Sequence, residues 1–396
     1  MSGRRRPLRR PVDALGGLVE VVRTHGGRML ECAVGEVTRR GAYAAPITTG
    51  PDRTVLLFYE DVEHDTLVPN DRYLRRAARR LYHAVTHGQR VSGFEVAFHA
   101  LVRALELVGC RVVINNPALA RRHPTHPIGI AGYPHVLDRW TLPNPAVLGP
   151  GLYDHPAQAP QLMRDPRFRS YLVPCEWMAA MFAPYYPERC RLWFGGIDVA
   201  QWPDALDTPK DIDLIVYDKV RWARESFQET LIAPVESVLR ARGLRTVWVR
   251  RGAYDHAEYR ALLGRARGMV FLCESETQGL AYQEAMASGV PILAWDPEEW
   301  LDPERVRWTS EPVRASSVPF FSAECGERFR DAAAFEGALD RFLARIPTYT
   351  PRSYVEETLS LERSAELYLA AYTAAAIPQD ASQCDRPVVR NRQTVA

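Results

Sequence analysis

The chain has 396 residues, more than the ~100–200 of an ordinary domain, so two domains are expected. Its 46% hydrophobic and 25% charged residues match the usage of soluble globular proteins, which excludes wholesale disorder and a multi-span membrane protein. With 50 Lys+Arg against 48 Asp+Glu the formal net charge is only +2, too little for a chain that wraps nucleic acid.

Residues 1–50 mix arginine clusters with Gly, Thr and Pro and read as a basic, loosely ordered extension. Arg4, Arg5, Arg6, Arg9 and Arg10 suit peripheral contact with anionic lipid or an acidic partner, although a solvated tail is the simpler expectation. A first domain is expected over 51–203. Its predicted strands are 54–59, 110–114, 128–131, 146–148 and 171–173, and the apolar spacing of Phe94, Phe98, Leu101, Leu105 and Val108 predicts a helix over 92–108 that Gly109 stops.

After a Pro/Asp-rich linker at 202–211 a second domain is expected over 204–350. Strands at 212–217, 245–249, 269–273 and 290–295 alternate with helices at 224–242, 256–267 and 279–287, the pattern of a doubly wound parallel sheet. An amphipathic helix over 354–372 falls within a terminal segment, 351–375, and a disordered tail is expected over 376–396. The fold class is therefore α/β, two Rossmann-like domains facing a central cleft.

Neither G-x-G-x-x-G nor the P-loop pattern occurs, so dinucleotide oxidoreductases and P-loop enzymes are set aside. The seven cysteines are odd in number and form no C-x-x-C, which suggests neither a disulfide framework nor zinc, and no metal or other cofactor is expected. No leader-like apolar run follows the basic start, and the expected location is cytoplasmic, with the inner membrane face as the place for any peripheral contact.

The segment 273–291 reads as a strand end, a polar loop and a short helix. Gly279 and the amides after it, among them Leu280, would open that helix toward the cleft, where unpaired N–H groups and the dipole favour a diphosphate. Glu276 and Glu284 lie eight residues apart, ~12 Å along a helix, which fits two carboxylates gripping opposite ends of an elongated ligand better than a glycosidase pair. Glu284 suits the diol of a ribose and Glu276 a sugar hydroxyl, so the implied ligand is a nucleotide sugar. Lys219, one of only two lysines, stands at a strand end where it would neutralise a leaving diphosphate, helped by Arg221.

Glu276-x7-Glu284 followed by Ala-Met-Ala-x-Gly-x-Pro resembles the donor-site signature of retaining GT-B glycosyltransferases, family 4 in particular. The runs Leu172-Val-Pro-Cys-Glu-Trp177 and Trp193-Phe-Gly-Gly-Ile-Asp198 resemble that family's interdomain segment, and the likeness covers residues 54 to about 372. It implies a GT-B fold whose C-terminal helix crosses back to the first domain. It also implies sugar transfer with retention from an NDP-sugar to a glycan, lipid-linked or small-molecule acceptor. Thr277 replaces the usual Gly, Gly195 replaces an Asn, and Tyr217-Asp-Lys-Val-Arg221 replaces "G-R-L". Thr277, Gln278 and Gly93 complete the expected donor contacts. His135 is a candidate base, with His155 as another cleft contact, and Trp140, Trp177, Trp193, Trp222 and Trp295 are read as core. The alternatives are an inactive GT-B-fold scaffold or another nucleotide-sugar enzyme such as an epimerase.

Overall fold

The computed structural model describes residues 53–60 and 93–377, apart from 139, 203, 205–207, 253 and the Phe94 side chain, with isolated helical positions at 74 and 78. The basic extension, Ser92 and all but two residues of the 376–396 tail lie outside the described residues.

Runs such as Val55-Leu-Leu-Phe58 are buried along their whole length, as strands covered on both faces must be. The first sheet holds β1 (Thr54–Glu60), β2 (Arg111–Ile114), β3 (Ile128–Gly132), β4 (Ala146–Gly151), β5 (Phe168–Val173) and β6 (Cys190–Leu192). Every pairing is parallel, in the order β2-β1-β3-β4-β5-β6. Helix α1 (Gly93–Leu107) buries Phe98, Leu101, Ala104 and Leu105 on one stripe, and Gly109, at φ +81°, turns the chain out of it. Two short helices follow, α2 (Pro117–Arg122) and α3 (Glu176–Phe182).

The second sheet holds β7 (Ile212–Asp218), β8 (Thr246–Arg250), β9 (Ala266–Leu272), β10 (Ile292–Trp295) and β11 (Gly326–Phe329), also all parallel, in the order β11-β10-β9-β7-β8. Its helices are α4 (Ala233–Ala241), α5 (His256–Arg265), α6 (Leu280–Ala287) and α7 (Ala332–Arg345). The helix expected over 224–242 starts at Arg224 but passes through a π turn, Gln228–Ile232, before α4. Pro234 lacks the N–H that the Thr230 carbonyl would take in a regular helix. Both sheets share one winding rule: the connections reverse direction between the first and third strands. Each therefore has its topological switch point there, β1/β3 in one and β7/β9 in the other, where open α/β sheets bind ligands.

The single terminal helix expected over 354–372 is instead two, α8 (Pro351–Thr358) and α9 (Leu361–Ala375). Leu359 gives its carbonyl to the Ile197 N–H at 2.8 Å, and the Ser360 hydroxyl caps α9 on the Arg363 N–H, so the helix breaks where it bridges to the segment after β6. Helix α8 packs on α6 of the second domain, and α9 packs on α1 of the first. Tyr372 accepts the Leu56 N–H at 2.8 Å and donates to the Pro127 carbonyl at 2.5 Å. The Trp193 indole N–H reaches the Ser364 carbonyl at 3.1 Å, and Gly129 leaves room for the Tyr368 hydroxyl, which a Cβ there would meet at 1.8 Å. This is the α/β plan with a returning C-terminal helix that the sequence implied.

Candidate functional site

At the β7/β9 switch point the two strand ends deliver opposite charges. Lys219 leaves β7 with its N–H on the Leu272 carbonyl at 2.8 Å, and its ammonium donates to the Glu276 carboxylate. Glu276 is 8% exposed and its own N–H is held by the Ser316 carbonyl at 2.9 Å. The Cys273 thiol lies 3.4 Å from the same carboxylate, and burial, reinforced by that negative charge, raises its pKa well above the ordinary thiol value.

Two residues before Glu276, Glu274 is fully buried. One of its oxygens accepts the backbone N–H groups of Arg221 and Trp222 at 2.7 and 2.8 Å. The Arg221 guanidinium donates to the Ser275 carbonyl at 3.0 Å and lies 4.0 Å over the Trp222 ring. Asp218 takes both ends of the Arg224 fork at 2.5 Å each. The Arg221 and Trp222 amides after β7 are thus occupied by one protein carboxylate and the Lys219 ammonium by another.

Gly279 opens α6 at φ +82°. A Cβ there would lie 2.1 Å from the Tyr282 ring, so the glycine is required by its own helix as well as by the turn. Thr277 is exposed and Leu280 packs on the second domain's core. Gln278 bridges the halves: its amide nitrogen donates to the Gly195 carbonyl and its oxygen accepts the Gly195 N–H at 3.0 Å. A Cβ on Gly195 would stand 3.3 Å from that amide and 3.5 Å from Ala97 of α1, one turn beyond Gly93, which is exposed at the α1 start. Trp177 ties the same loop to the first domain through its indole N–H on the Glu276 carbonyl at 2.9 Å. Trp193 and Trp295 are core as expected, but Trp177 and Trp222 belong to the site, because each is anchored to the loops around Glu276.

Glu284 sits partly exposed on α6, and its carboxyl makes no hydrogen bond or ion pair among the described residues. Burial pushes it up to about 8 against a weaker pull from Arg260. Tyr217 and Tyr254 share a 2.7 Å hydrogen bond between their hydroxyls. Burial raises both phenols, and the charges of Glu276 and Glu284 both act on Tyr217, so this pair lies in the field of the two acids. The phenol pair and Glu274 were missed in the sequence, where Tyr217 reads as the end of an apolar strand and Tyr254 and Glu274 as loop residues.

His135 occupies the other switch point. It is 2% exposed, on the turn after β3, with Nε2 3.5 Å from the Glu60 carboxylate at the end of β1. Glu60 and His135 thus meet at the carboxyl end of the first sheet, whereas Lys219 and Glu276 follow strands of the second. Among the described residues no three His, Cys, Asp or Glu converge as a metal site, and no helix is long and apolar enough to cross a membrane.

No protein-family model matches the sequence, and no curated protein does. Among solved structures the chain is similar to sucrose-phosphate synthase from Thermosynechococcus elongatus, at 16% identity and TM-score 0.47 over 81% of this chain and 100% of that one. It is likewise similar to the catalytic domain of starch synthase IV from Arabidopsis thaliana, at 10% identity and TM-score 0.47 over 82% and 99%. A glycosyltransferase involved in avilamycin A biosynthesis overlaps at 12% identity and TM-score 0.45 over 81% and 97%. Overlap at this level supplies no residue-by-residue correspondence.

Proposed function

We propose that the chain is a retaining glycosyltransferase that takes an NDP-sugar against the second sheet. The observation that carries this reading is the meeting of Lys219 and Glu276 at the β7/β9 switch point, beside the start of α6. A diphosphate would accept from Lys219 and from the unpaired amides that open α6, which stabilise charge as it develops on the leaving group. Glu276, released from Lys219 by that anion, would accept from a sugar hydroxyl and orient the reacting carbon. Glu284, whose carboxyl is unpaired among the described residues, would take the ribose hydroxyls beside Tyr217 and Tyr254. Gly93, Thr277, Gln278, Leu280 and Arg221 would complete the donor pocket, and His135 would face the acceptor side. The reaction needs no metal on this reading.

The test is a panel of UDP-, GDP- and ADP-sugars given to purified protein, with binding and donor consumption read separately. Glu284→Ala loses donor binding, whereas Glu276→Ala binds donor and fails to turn it over. Full activity in both variants refutes the assignment, and saturable binding without any turnover supports a scaffold instead.

A further inference from the structure

A wall of aromatic rings stands beside the Glu276 loop, drawn from both domains. His155 follows β4, and Trp300 and Trp308 follow β10, so all three come from the carboxyl ends of their sheets. The His155 ring lies nearly parallel to both indoles, 6.2 Å from Trp300 at 8° and 5.8 Å from Trp308 at 13°. Tyr185 meets the imidazole edge-on at 6.2 Å, and Trp177, which holds the Glu276 carbonyl, is 6.1 Å from Trp300. The wall is therefore continuous with the donor-side loop. Trp300 and His155 are buried, while Trp308 and Trp177 are partly open and Tyr185 is 41% exposed.

The chemistry of the wall is not purely apolar. His155 is 4% exposed, and its Nδ1 accepts the Ala157 N–H at 3.1 Å, which assigns the ring proton to Nε2. That Nε2–H has no acceptor among the described residues. The preceding residue, Asp154, is exposed, its carboxyl makes no hydrogen bond among the described residues, and it is close enough to Asp302 to feel its charge. An apolar occupant would leave the buried imidazole donor unpaired and would offer the Asp154 carboxyl nothing to accept. A pyranose satisfies every part: its C–H face lies on an indole, one hydroxyl accepts from Nε2–H, and another donates to Asp154.

We infer that Trp308, His155 and Asp154 form the acceptor subsite and that it takes a sugar ring. This assignment rests on the donor reading for the word acceptor, while saccharide binding itself stands apart from it. The test uses the full chain with maltotriose, cellotriose and chitotriose, and with 2-naphthol as a flat ring lacking the hydroxyl pattern. Binding is read by tryptophan fluorescence and calorimetry. At least one trisaccharide saturates the wild type, Trp308→Leu weakens it at least tenfold, and Trp308→Phe, which keeps a ring, weakens it less. Melting curves confirm that both variants are folded. Absence of saturation by all three trisaccharides, equal affinity in Trp308→Leu, or preference for 2-naphthol overturns the subsite. If trisaccharide binding depends on Trp308 but no NDP-sugar binds, the donor reading fails and the saccharide site stands.

Discussion

Replacing Glu284 by Gln tests the chemistry of α6 without touching its shape. In the native state burial holds this carboxyl up to about 8, against an ordinary 4.5. The folded protein therefore binds a proton that the unfolded chain has already released, and folding stability falls as pH climbs between those two values. Each pH unit in that window costs ~1.36 kcal/mol, so the full penalty at pH 7 is at most ~3.4 kcal/mol, and solvent reaching the partly exposed group lowers it. Gln mimics the neutral acid and carries no such penalty. Thermal and urea unfolding of both proteins at pH 5, 6, 7 and 8 should give curves that nearly coincide at pH 5, with Glu284→Gln increasingly the more stable toward pH 8. Above pH 8, where Glu284 is ionised, the same variant binds NDP-sugar less well, because an amide accepts from a diol with one oxygen only. A stability difference independent of pH, or a variant less stable at pH 8, refutes the account of Glu284 as a carboxyl kept free for a ligand at the expense of stability.

Three further outcomes follow from the contacts. Lys219→Met strands the Glu276 carboxylate in a nearly closed site and lowers stability by ~3–5 kcal/mol; adding Glu276→Gln recovers part of that loss in a double-mutant cycle by urea titration. Gln278→Ala removes both hydrogen bonds to Gly195, costs ~1–3 kcal/mol, and gives a larger radius of gyration by small-angle X-ray scattering if those bonds hold the halves together. Gly129→Ala drives a methyl into the Tyr368 hydroxyl and destabilises by ~3 kcal/mol or more in thermal melts, and Tyr368→Phe relieves part of this, since Leu57 still crowds the site at 2.7 Å.

The inner strands were legible because β1, β3, β7, β9 and β10 are nearly unbroken apolar runs, and a strand buried on both faces has no other composition. Strands β6 and β11 were not. Cys190-Arg-Leu192 is a partly exposed edge, and Gly326-Glu-Arg-Phe329 presents only two buried positions, so neither departs from loop composition. The two glutamates and Lys219 stood out through spacing and rarity, and two of them do meet. Tyr217 with Tyr254, and Glu274 with the Arg221 amide, are pairings across 37 and 53 residues that only the sheet order brings together. The break at Leu359–Ser360 is not legible in the sequence because its cause, the backbone at Ile197, lies 162 residues earlier in the chain.

Helix α9 is the last described element, yet Tyr368, Ala371, Tyr372 and Ala375 complete the core around Val55, Leu57 and Phe98. On the ribosome the opening sheet must therefore wait, one face only partly covered by α1, until some 180 more residues have been added after its final strand. A fragment cut at the interdomain linker would carry that partly bare face into solution and aggregate. The order of synthesis thus makes the second domain the first that can finish folding.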